Sequence, residues 1–72
     1  DSREAVKGQR QVWFSEIADF FSCPIVDRLR LRWGDVVLGP AIIEELDATT
    51  AVHPGYQAQV DQHGNLLLQR RT

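Results

Sequence analysis

Apolar and polar residues alternate along much of this chain, and a period of two marks strands that bury one face. From Arg10 to Ser15, Val12 and Phe14 fall on one side and Trp13 on the other, in a segment of high β propensity. The longest alternation runs from Ile25 to Trp33. It sets Ile25, Leu29, Leu31 and Trp33 on an expected core side and Arg28, Arg30 and Arg32 opposite, with Asp27 and Val26 interrupting the two rows. Val36 to Leu38, Ala41 to Leu46 and Thr49 to Val52 are short apolar or β-branched runs that suit further strands. Tyr56, Ala58 and Val60 alternate with Gln57, Gln59 and Asp61, and Leu66 and Leu68 are expected to face away from Leu67. Only Glu16 to Ser22, with Ile17, Ala18, Phe20 and Phe21 at near-helical spacing, departs from this rhythm, and it reads as either one helical turn or a packed loop.

Turn chemistry separates these runs. Trp33-Gly34-Asp35 and Gly39-Pro40 end strands, Pro54-Gly55 suits a type II turn, and Gln62-His63-Gly64-Asn65 reads as a hairpin loop with Gly64 at positive φ. Six or seven short strands so punctuated predict an all-β domain, a small barrel or a compact sandwich. Residues 1–9 are polar and aperiodic and are expected to be a flexible lead-in, leaving residues 10–72 as a single β domain. With 72 residues and no Met, the chain is expected to be a fragment of a larger polypeptide.

Composition narrows the function classes. The chain is 43% hydrophobic and 25% charged, which suits a globular domain and not a disordered one. Its apolar runs of four or five residues fall far short of the roughly 20 that span a bilayer, so no membrane association is expected. A net charge of −2 argues against a general nucleic-acid surface. The lone Cys23 excludes an internal disulfide, favours a cytoplasmic setting and reads as a core residue.

No reaction centre assembles from the candidate residues. Glu44 and Glu45 are neighbours on one run, so their carboxylates point to opposite faces and do not share a general acid–base site. His53, His63 and Cys23 lack the paired spacing of a metal site, and the glycines are isolated turn formers that build no phosphate loop. No catalytic, cofactor-binding or metal-binding residue is therefore assigned. The remaining candidate is the stripe Arg28, Arg30 and Arg32. Three guanidinium groups on one face repel each other, so the stripe reads as a docking surface for acidic groups on a neighbour, or as a solvated face partly neutralised by Glu44 or Glu45.

The run from Gly39 to Gly55 resembles the C-terminal end of the large subunit of the hydantoinase, 5-oxoprolinase and acetone/acetophenone carboxylase family. Gly39-Pro40-Ala41-Ile42-Ile43-Glu44-Glu45 and Asp47-Ala48-Thr49-Thr50 match its pattern closely. Cys23-Pro24-Ile25-Val26-Asp27-Arg28 is similar to a Thr-Pro-Val-Tyr-Asp-Arg block, with Cys23 and Val26 departing from it, and Leu31 and Gly34 follow at the family spacing. Pro54-Gly55, Val60-Asp61 and Gly64-Asn65-Leu66 complete a likeness spanning Val12 to Leu68. The resemblance implies a C-terminal structural or docking domain of an ATP-dependent hydantoinase or 5-oxoprolinase-type hydrolase. ATP and Mg²⁺ would be handled elsewhere in the parent, and the partners would be the preceding domains and a second subunit. A stand-alone β module of the biotinyl- or lipoyl-carrying type is the alternative, disfavoured because the one lysine, Lys7, sits in the lead-in. An OB-like binder using the arginine stripe with Trp13, Trp33 and Tyr56 as stacking groups conflicts with the acidic balance and with Trp33 on the core side.

Overall fold

The computed structural model describes residues 2–71. Seven strands follow one another: β1 (Val6–Phe14), β2 (Asp19–Asp27), β3 (Val36–Leu38), β4 (Ala41–Glu45), β5 (Ala48–Val52), β6 (Tyr56–Val60) and β7 (Leu66–Arg70). Single 3₁₀ turns occupy Ser2–Ala5 and Arg28–Arg30. One sheet has the order β1-β2-β4-β5 and the other β3-β6-β7. The expected all-β class holds, in the two-sheet form.

Neighbouring strands pair antiparallel except β2 and β4, which run parallel through Ile25, Val26 and Asp27 against Ile42, Ile43 and Glu44. That pairing explains β4. Its run Ala41-Ile42-Ile43 is buried throughout, as befits a central strand covered on both faces. Ile43 joins the main core with Val26, Leu31, Val37, Ala41, Val52, Ala58 and Val60, drawn from both sheets. Ile42 points the other way and meets Phe14 and Cys23, with Val12 and Ile25 packed alongside. The second cluster comes from the long β1–β2 hairpin, whose end folds over the sheet.

Order begins earlier than the sequence pattern indicates. Of the expected lead-in, Asp1 lies outside the described residues, but β1 opens at Val6 instead of Arg10, and Ala5 is part of the main core. Lys7 is the extra residue of a bulge between the pairs Val6–Val26 and Gly8–Ile25, and its Nζ lies 3.0 Å from Glu44. Between β1 and β2 the segment Ser15–Ala18 is a tight turn, with the N–H groups of Ile17 and Ala18 donating to Phe14 and Ser15. Ala18 adopts φ +50, a left-handed conformation uncommon outside glycine. Asp19 to Ser22 is strand, neither the helical turn nor the packed loop expected.

The expected turns at Gly55 and Gly64 are present, with φ of +84 and +82. The Tyr56 N–H donates to the His53 carbonyl across Pro54-Gly55, closing the type II turn. At the β6–β7 hairpin, Asp61 accepts from the backbone N–H groups of His63 and Asn65 at 2.9 and 2.8 Å and fixes the loop.

Gly39 answers a different need. A Cβ built there would stand 2.1 Å from the His53 carbonyl oxygen, a backbone atom that cannot swing aside. Gly39→Ala is therefore expected to cost about 3 kcal/mol of stability, by forcing apart two closely apposed backbones. Gly64→Ala meets open space and should cost only about 1 kcal/mol, from positive φ alone. Urea unfolding of the two variants side by side checks both the magnitudes and their order.

Candidate docking surface

The three arginines do not line one strand face. Strand β2 ends at Asp27, whose carboxylate accepts from the Leu29 N–H at 3.1 Å and caps the 3₁₀ turn Arg28–Arg30. The alternation is broken there, and of the expected core row Leu31 alone is buried beyond Ile25. Leu29 is 81% exposed and Trp33 73%, so the expectation that both face the core is corrected. Their neighbours Arg30 and Arg32 are exposed as well.

Local polar contacts hold this loop in shape. Arg28 is half-buried and donates through Nη2 to the Gly64 carbonyl, tying the loop to the β6–β7 hairpin. Arg30 lies 3.6 Å from Asp27. The Arg32 N–H donates to Asp35 at 2.9 Å, and that bond is the first cause holding the Asp35 carboxyl below its ordinary value. Gly34, at φ +88, donates to Val60 and completes the turn. The result is an ordered protrusion presenting Leu29 and Trp33 among guanidinium groups. Trp33 shares a shallow groove with Leu67 and His63. Glu44, weighed as a neutraliser of the arginine stripe, instead meets Lys7 and, at 4.0 Å, Arg10.

A second exposed apolar surface escaped the sequence pattern. Trp13 and Phe20 are directly paired across β1 and β2 and pack edge to face at 5.3 Å, yet they are 53% and 59% exposed. Each such ring carries roughly 150–250 Å² of area whose burial is favourable. On the opposite face of the same hairpin, Phe14 is buried with its ring edge on His53. The turn is latched there: Glu16 Oε2 lies 2.5 Å from His53 Nδ1. An apolar recess between the sheets, lined by Val52, His53, Tyr56 and Leu68, opens beside this latch.

Among the described residues no group of three or more His, Cys, Asp or Glu side chains is placed to hold a metal ion. Among the same described residues, no helix is long and apolar enough to cross a membrane. Cys23 is fully buried, and burial pushes its thiol pKa up, away from the reactive thiolate.

The resemblance carried by Gly39 to Gly55 extends over the molecule: the model of the hydantoinase/oxoprolinase C-terminal domain matches residues 1–71. The chain belongs to the hydantoinase/oxoprolinase C-terminal domain family. An uncharacterized protein of Methanocaldococcus jannaschii is 38% identical over 61 residues, which is 85% of this chain and 9% of that protein. A nucleotide-free acetone carboxylase structure, solved for the mechanism of ATP-dependent acetone carboxylation, is similar with a TM-score of 0.86. It is 27% identical over 93% of this chain and 9% of its own. The chain thus spans about a tenth of the length of either relative, in each of which the matching region is a small part of a much longer polypeptide. The hydantoinase/oxoprolinase pattern now reads physically. Gly39 serves backbone contact, Asp61 and Gly64 build a hairpin, and Asp27 caps a turn that pushes Trp33 outward.

The latch has a pH dependence. The Glu16 carboxyl is held below its ordinary value, first by backbone hydrogen bonding and second by His53. A lowered carboxyl pKa adds stability that is fully present above the ordinary value of 4.5 and is lost as pH falls through the folded value. Amide exchange at Ile17 and Ala18 should accelerate over that acid range, measured by NMR. Glu16→Gln should show the faster exchange already at neutral pH and flatten the acid response.

Proposed function

We propose that this chain is the C-terminal structural and docking domain of an ATP-dependent, cytoplasmic enzyme subunit of the hydantoinase or 5-oxoprolinase type. It has no reaction centre of its own. ATP and Mg²⁺ are handled by other domains of the parent, which opens a cyclic amide or carboxylates a ketone. The family match and the likeness to an acetone carboxylase support the parent's chemistry. The observation that carries the docking role is the loop of residues 28–33. Leu29, Arg30, Arg32 and Trp33 all face outward, on a turn kept rigid by Asp27, Arg28 and Asp35.

Trp and Arg together are the residue types that anchor interfaces, because each offers a large contact area with directional polar contacts at its edge. The guanidinium groups call for acidic groups on the neighbour, either a preceding domain of the subunit or a second subunit.

Replacing both Arg30 and Arg32 with Glu tests this reading in the full parent enzyme. Exposed substitutions of this kind change a domain's own stability by no more than about 0.5 kcal/mol. The melting temperature of the domain should therefore hold, while assembly and ATP-dependent ring opening or ketone carboxylation fall by about tenfold or more, the scale of one lost charged anchor. Normal assembly and turnover in the double variant would reduce the loop to a solvated face.

A further inference from the structure

The domain presents two exposed aromatic surfaces, one around Leu29 and Trp33 and one around Trp13 and Phe20. Around Leu29 and Trp33, Arg30 and Arg32 stand with Glu4 and Asp35 lining the same recess, and Asp27 lies 3.6 Å from Arg30, so the charges there are mixed. Beside Trp13 and Phe20 the nearest charges along the chain are acidic, Asp19 next to Phe20 and Glu16 in the turn, while Arg10, three residues before Trp13, is turned to Glu44. The hairpin carrying this surface is held firmly. Its inner face is packed through Phe14 and Cys23 on Ile42, and its turn is latched by Glu16 to His53. Its outer face shows Trp13 and Phe20 in mutual contact, with Ile17 exposed in the adjoining turn. A rigid support under an uncovered aromatic pair is a preformed anchor.

We propose that this outer hairpin face is covered in the parent by the remainder of the same polypeptide, through an apolar recess with Lys or Arg at its rim. The inference rests on the reading of the chain as one domain of a longer subunit, and it names the surface that joins the domain to that subunit. Three observations select this occupant. The chain accounts for 9% of each long relative, so a large body of polypeptide is tethered to it at high effective concentration. Asp19 adjoins Phe20 and Glu16 lies in the adjoining turn, and these carboxylates ask for a basic rim. A second copy that set its arginine loop against Asp19 and Glu16 would make a head-to-tail contact, which generates open chains and not a closed pair.

Hydroxyl-radical footprinting of the full-length parent reads Trp13 and Phe20 directly and needs no variant. Their exposure within the domain alone would leave oxidation within about twofold of the unfolded rate, whereas a covering recess should slow both by at least about tenfold. Leu46, 93% exposed at the β4–β5 turn, is the internal reference and should stay reactive. In the full-length protein, Trp13→Ser with Phe20→Ser should speed proteolytic release of the domain, and Leu46→Ser should not. Trp13 oxidised as fast as in the unfolded chain would overturn the proposal. So would protection that vanishes on dilution, because the occupant would then be a second copy. Turnover enters none of these readouts. Protected aromatics in a parent without ATP-dependent activity would leave the docking face standing and remove the proposed chemistry; full activity with Trp13 unprotected would do the reverse.

Discussion

Two of the three connections between the sheets, β3 to β4 and β5 to β6, pass through one point, and the architecture depends on how closely they pass. The chain leaves β3 for β4 at Gly39-Pro40 and leaves β5 for β6 at His53-Pro54-Gly55. At the crossing, the Gly39 N–H donates to Tyr56 at 2.9 Å while its Cα faces the His53 carbonyl at a distance no side chain tolerates. Small residues continue the theme, since Ala41 and Ala58 are fully buried in the core between the sheets. With the backbones pinned this close, Val37, Ile43, Val52 and Val60 meet in one cluster. His53 holds two roles at the same corner, giving its carbonyl side to the crossing and its ring to Phe14 and Glu16. The crossing and the hairpin latch therefore share a residue.

What the sequence revealed follows from how local each determinant is. The turns at Gly55 and Gly64 and the β6–β7 hairpin were legible because their cause is the residue itself, a glycine where φ must be positive. The strand Ala41–Glu45 was legible for a similar reason, as a compact apolar run between turn formers. The segment from Asp27 to Trp33 was misread because its apolar–basic alternation is indistinguishable from a strand until Asp27 caps Leu29 and starts a 3₁₀ turn. A single side-chain hydrogen bond to backbone decided between two patterns of equal hydrophobic logic. The β1–β2 hairpin was hidden differently. Its turn, Ser15-Glu16-Ile17-Ala18, contains no Gly, Pro or Asn, and Ala18 takes a positive φ that nothing in its identity announces. The partners that hold it there, Ile42 and His53, lie far along the chain. The arginine stripe was legible as candidate residues but not as a geometry: its members share a loop instead of a strand face.

The order of charges along the chain has a physical consequence for the fold. Like charges are grouped, acidic along residues 11–27 and basic along residues 28–32, and the two groups meet at the Asp27–Arg28 junction. A junction of this kind favours turning, because Asp27 accepts from the Leu29 backbone N–H and lies within reach of Arg30, while Arg28 is drawn to the Gly64 carbonyl. The end of β2, the protrusion of Trp33 and the position of the β6–β7 hairpin are thereby set by one short stretch. The fold and the exposed loop share the same few determinants.

Stability and docking are linked by size. A 72-residue chain buries only about 60% of the surface it exposes when unfolded, which leaves a thin margin. Here that margin is thinned further, because Trp13, Phe20, Leu29 and Trp33, with Leu67 and Leu68, remain outside the core. In isolation these side chains contribute little to folding and expose apolar area that promotes association. Covered by a neighbour, the same side chains stabilise the folded domain, since a partner that binds only the native form shifts the folding equilibrium toward it. A surface that covered these exposed apolar side chains would therefore raise the stability of the folded domain, by the same burial that they forgo in the domain itself.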